Sequence, residues 1–143
     1  MTLSPGGPDA RHASVFDDLM QQVMSTAQRF GNREHIHLTW LAVRTSGVFA
    51  AVDLVSQGIQ RTARYASAPQ KYHATVSRAW VELVGYHVAE SPDLDFGAFS
   101  GHHPALLDKR LLLRFYRSST LARQDARTRW VEPDLAPFPW QVS

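Results

Sequence analysis

The chain has 143 residues, 44% of them hydrophobic and 20% charged, with a formal net charge of +2; that fits a single folded domain and excludes intrinsic disorder. It contains no cysteine, so disulfides, thiolate nucleophiles and thiolate zinc sites are excluded, and a transition metal would need His, Asp or Glu ligands. The charge is uneven: residues 109–129 hold Lys109, Arg110, Arg114, Arg117, Arg123, Arg127 and Arg129 against Asp125 alone.

The opening MTLSPGGPDARH carries two prolines and two glycines without apolar periodicity, and residues 1–13 are expected to form a flexible leader. No secretion-type apolar segment follows, and no run is read as long enough to span a bilayer. A cytoplasmic protein without membrane contact is therefore expected. Residues 14–130 are read as one helical domain and 131–143 as an extended tail packed on it.

From Ser14, the residues Phe16, Leu19, Met20, Val23, Ala27 and Phe30 recur at helical spacing, predicting a first helix that ends at Gly31. Asn32 is the expected N-cap of a second helix reaching Thr45. Ser46-Gly47 breaks the pattern, and Val48, Val52, Val55, Ile59 and Thr62 mark a third. Ala68-Pro69 separates it from a fourth, about Gln70 to Ala89. Shorter helices are expected over Pro92–Phe99, from Pro104 to about Tyr116, and from Ser118 or Ser119 to about Arg129. The sequence VEPDLAPFPW, with three prolines, favours an extended segment. No alternating β pattern or internal repeat is present. The fold class expected is all-α: a compact bundle of four main helices, shorter C-terminal helices and an extended Pro-rich tail.

Chemistry centres on the histidines. Side chains two apart on a helix point about 200° from each other, so His35 and His37 in NREHIHLTW cannot grip one ion. His35 shares a stripe with Asn32 and Thr39 beside Ile36 and Trp40, which makes it the inward candidate. Glu34 and His37 have the spacing of a di-iron Glu-x-x-His pair, but no second copy occurs. On the fourth helix His73, Trp80 and His87 fall seven apart, and His73 and His87 are about 20 Å apart along the axis. If the second and fourth helices are neighbours, His35 faces His73, with Trp40 and Trp80 as apolar walls. Two such imidazoles would serve as general acid and base near neutral pH. Against this stands the plainer view that a helical His is usually a hydrogen-bonded structural residue.

Four stretches, FGNREHIHLTW, KYHATVSRAW, LLLRFYRSSTL and RTRWVEPDLAPFP, resemble a group of small bacterial all-helical proteins with no assigned activity, over about residues 30–139. In that group the first motif reads His-x-x-His followed by Leu and Ala-Trp, and the second Lys-Tyr-His-Glu-Thr. His35, His73, Trp40, Lys71, Tyr72 and Thr75 match. Asn32 and Ala74 depart. The resemblance implies a site at these positions but no reaction. With Asn32 in place of an imidazole and Ala74 in place of the acid, a metal-free site is the expected version.

In the basic segment, Arg110, Arg114 and Arg117 fall near one stripe if it is helical. The plain reading is a solvated face. The functional one directs Arg114 inward to hold a carboxylate or phosphate in bidentate fashion. Nucleic acid is disfavoured by the near-neutral total charge and the lack of a nucleic-acid motif.

The leading expectation is a small cofactor-free enzyme of bacterial secondary metabolism. It would perform isomerisation, cyclisation or elimination on a carboxylate-bearing or aromatic metabolite. His35 and His73 would be its acid and base, and Asn32, Thr39, Trp40, Tyr72, Thr75, Trp80 and Arg114 would bind substrate. One alternative is an Fe, Cu or Zn enzyme with ligands from His35, His73, Glu34, His102 and His103. The other is a non-catalytic small-molecule or protein-binding module. The partner expected is a small-molecule substrate, with a homodimer left open.

Overall fold

The computed structural model describes residues 8–62 and 67–141, which are all-α, with no strand among them. Three long helices dominate: α1 (Pro8–Met24), α2 (Asn32–Arg61) and α3 (Ala74–Glu90). Shorter helices follow at α4 (Phe96–His102), α5 (Ser118–Leu121) and α6 (Gln124–Thr128). Single 3₁₀ turns occupy Pro69–Lys71, Pro104–Leu107, Leu111–Arg114 and Pro139–Gln141.

Helix α1 begins earlier and ends earlier than its apolar pattern predicts. Residues 8–13, expected in the leader, are helical, since Pro is at ease in a first turn, where its missing N–H is not needed; the rest of that expected leader, residues 1–7, lies outside the described residues. The helix stops at Met24 because Ser25 donates its hydroxyl to the Gln22 carbonyl at 2.7 Å, a side-chain bond that competes with further helix. Residues 25–31 therefore form a connection, and Phe30 is delivered to a cavity rather than to a helix face.

The predicted second and third helices are the two arms of α2. They join at Gly47, whose φ of 81° and ψ of 164° are not helical. Glycine takes that backbone without the steric cost a Cβ would bring. Read as two helices, neither arm would reach bilayer length; joined, they do, with a mean hydropathy of 1.4 over 18 residues. That corrects the expectation of no such run. Yet α2 lies mainly against α3 and α1, and its Ile36, Leu38, Ala42, Leu54, Val55 and Ile59 are buried, the pattern of a core helix. Its N-cap is Gly31, not Asn32: Glu34 reaches back to accept the Gly31 N–H at 3.0 Å, the acidic half of a capping box.

Two glycines set how closely these helices approach. A Cβ on Gly58 would stand 2.0 Å from the Phe16 ring, and one on Gly85 2.2 Å from the Val48 side chain. Each absent methyl lets α2 accept a large side chain from α1 or bring its own onto α3.

The basic segment is not one helix. Asp108 accepts the Arg110 N–H at 2.9 Å and turns the chain between two 3₁₀ turns. The proposed stripe of Arg110, Arg114 and Arg117 does not form, and Arg114 is exposed instead of directed inward. The tail crosses the molecule under several restraints. Phe138 and Tyr116 are fully buried, the Tyr116 hydroxyl donates to the Val131 carbonyl at 2.6 Å, and Leu135 N–H donates to Phe115 at 2.8 Å. Burial, with Glu132 nearby, pushes the Tyr116 phenol pKa upward, so it stays a donor.

Candidate functional site

The connection after α1, the first turn of α2, the last turn of α2 and the start of α3 enclose a cavity of about 580 Å³, a size typical of small-molecule sites. Its apolar wall comes from Met20, Phe30, Ile59, Val76 and Trp80. Its polar groups come from Asn32, His35, Thr62, Lys71, Tyr72, His73, Ser77 and Lys109. Both expected histidines thus line one cavity, one from each of two neighbouring helical segments.

Their roles differ. The His35 ring, in edge contact with Phe30 at 6.2 Å, has no hydrogen-bond partner for either nitrogen among the described residues. The ring is partly exposed and lines the cavity. Desolvation pushes its pKa from 6.5 down to about 4. At neutral pH it is therefore an uncharged imidazole with one donor and one acceptor to offer.

His73 has nothing left to offer. The structure corrects its expected position inside a helix: it is the N-cap of α3, and its Nδ1 accepts the Val76 N–H at 3.1 Å. Its Nε2 lies 2.7 Å from the Leu121 carbonyl; a carbonyl only accepts, so Nε2 carries the proton. Both nitrogens are committed and the tautomer is fixed, which leaves His73 without a free nitrogen for the acid or base role.

The remaining predicted residues divide in the same way. Trp80 and Tyr72 line the cavity, with the Tyr72 hydroxyl hydrogen-bonded to Ser56. Asn32 also lines it, and its amide donates to the Leu107 carbonyl at 2.7 Å, drawing the 3₁₀ turn at 104–107 onto the start of α2. Thr39 is fully buried and donates to the His35 carbonyl at 2.9 Å. Trp40 points away, among Phe96, Phe99 and His37, with the Arg44 guanidinium 4.7 Å above its ring; its Nε1 is buried without a partner among the described residues. Thr75 is a clasp, donating to the Arg129 carbonyl at 2.8 Å and accepting the Val131 N–H at 3.1 Å. Thr39, Trp40, Thr75 and Arg114 do not line the cavity, contrary to their expected roles in substrate binding.

The alternative metal ligands are not gathered. Glu34 is occupied at the α2 cap. His102 and His103 sit at the end of α4, where the His103 and His87 rings are 4.5 Å apart and His87 bonds Glu90 at 2.8 Å. Desolvation and the neighbouring His87 lower the His103 pKa. Among the described residues no three His, Asp or Glu side chains come together as a metal site.

Sequence reasoning missed Lys71 and Lys109 as site residues. Lys71 stood in the KYH motif and so carried a signal; Lys109 was only one charge in a basic run. Both are exposed and line the cavity, neither has an ion-pair partner among the described residues, and no carboxylate lines the cavity with them. No family model, no curated protein and no solved structure matches this chain, so the motif resemblance remains a likeness of short stretches.

Proposed function

We propose that the chain binds a small molecule in the 580 Å³ cavity, with His35 orienting it. One observation carries the reading: a desolvated imidazole with both nitrogens unpartnered stands on a largely apolar wall. His35 is partly exposed to the cavity, and a polar group on an apolar wall gains about 0.5–1.5 kcal/mol from a hydrogen bond made there. A ligand hydroxyl, carbonyl or amide against His35 would supply the missing bond. Trp80, Phe30 and Ile59 would cover its apolar body.

An acid/base enzyme using the same cavity is the second reading, favoured by Tyr72, whose hydroxyl is hydrogen-bonded to Ser56, lining the same cavity as His35. It ranks lower because a base with a pKa of about 4 has little driving force for taking a proton at neutral pH, and because His73 has no nitrogen free to complement it. The metal-dependent reading ranks last because among the described residues no three His, Asp or Glu side chains come together.

A fragment screen by NMR on the full chain tests binding. Expected hits perturb the side-chain resonances of His35, Trp80 and Ile59, and the His35→Leu variant weakens those hits that carry a hydrogen-bonding group. Hits that map elsewhere, or bind the variant equally well, would overturn the reading.

A further inference from the structure

Resting on the reading of the cavity as a binding site, we infer that its ligand is an amphipathic monoanion: an aromatic or alkyl body bearing one carboxylate or sulfonate. The apolar part follows from the wall of Met20, Phe30, Ile59, Val76 and Trp80. The charge follows from what is missing opposite the lysines. Lys71 and Lys109 arrive from segments far apart in the chain, both exposed and both lining the same opening. Neither ammonium meets a carboxylate among the described residues, and Asp and Glu are absent from the lining. An exposed ammonium at the rim of an apolar cavity keeps its hydration until an anion arrives, and two of them around one opening favour a negative group there. Inside, His35 is neutral, so a charge placed against it, cationic or anionic, would meet no counter-charge there and would bear a cost in desolvation. Charge is therefore matched at the rim and unmatched within. A polyanion such as a nucleotide fits poorly, since among the described residues two cations line the opening and most of the wall is apolar.

The test compares two fluorescent probes with one aromatic body, 8-anilinonaphthalene-1-sulfonate and its uncharged counterpart N-phenyl-1-naphthylamine, titrated into the full chain. The sulfonate is expected to bind about tenfold or more tightly. The preference should shrink severalfold in the Lys71→Gln, Lys109→Gln double variant and with rising salt. It should survive in Arg114→Gln, which removes a positive charge outside the lining. Far-UV circular dichroism on each variant verifies that the fold is kept. Equal binding of both probes, or a preference that the Arg114 variant abolishes as readily, overturns the anionic class while leaving a small-molecule site. Binding of neither probe overturns this inference, and the NMR screen then decides whether the binding reading falls too.

Discussion

The cavity wall and the C-terminal strap use similar polar side chains to opposite ends. On the strap side, Thr75 makes two bonds to the backbone at 129 and 131, Tyr116 ties to Val131, and Asp134 accepts from the Arg117 N–H and the Thr120 hydroxyl. Each of those groups has its partner inside the chain. At the cavity, among the described residues, His35 has none, and Lys71 and Lys109 have no acid. His73 stands on the boundary: it lines the cavity yet spends both nitrogens on the backbone. The difference teaches that residue type alone does not separate structure from function here. An unpartnered polar group with a cavity beside it does: Trp40 Nε1 is also without a partner among the described residues, but it lies away from the cavity against Phe96 and Phe99, where no ligand can reach it.

That contrast has measurable consequences. The largest is expected on acidification. Folded His35 takes a proton only near pH 4, whereas in the unfolded chain it does so near 6.5. Its contribution is thus fully present above 6.5 and is lost as pH falls toward 4, because the unfolded state then binds more protons. The loss approaches about 1.4 kcal/mol per pH unit at most, less if water in the cavity softens the desolvation. Denaturant melts of the wild type and His35→Leu across pH 4 to 7 isolate this share, and parallel stability curves for the two would refute it. At pH 7 the leucine variant should be about as stable as the wild type, since the imidazole it removes makes no hydrogen bond among the described residues.

Next in size is the strap. Thr75→Val keeps the volume but strands the Arg129 carbonyl and the Val131 N–H, a destabilisation of about 1–3 kcal/mol, with probe affinity in the cavity unchanged. If affinity fell while stability held, Thr75 would belong to the site after all. His73→Ala, which removes both a helix cap worth about 1 kcal/mol and the bond from Nε2 to the Leu121 carbonyl, is expected to cost about 1–2 kcal/mol; His73→Asn, which retains a capping oxygen, should recover part of it. A loss in binding with no loss in stability from both variants would return His73 to a functional role.

Several site features were legible early for a physical reason. Periodicity named the faces of the helices, and Ser46-Gly47 marked the break that Gly47 makes at φ 81°. The inward assignment of His35 came from its stripe with Asn32 and Thr39 beside Ile36 and Trp40, and Trp80 followed from spacing on α3. Trp40 went astray because a stripe on one helix does not reveal which neighbour covers it: α4 brings Phe96 and Phe99 to that side. Arg114 went astray because Asp108 breaks a segment whose spacing only makes sense as continuous helix.

Sequence by itself determined the all-α class, the interruption of the long apolar helix and the residue types from which chemistry could be drawn. Those follow from local forces: propensity, caps, and a period that repeats within a turn or two. Tertiary structure decided which imidazole is spent and which is spare. The Leu121 carbonyl that fixes His73 lies 48 residues away along the chain, and Lys71 and Lys109 meet at one opening only after the chain has folded. Whether a polar atom finds a partner depends on what packs against it, and that is a property of the whole fold.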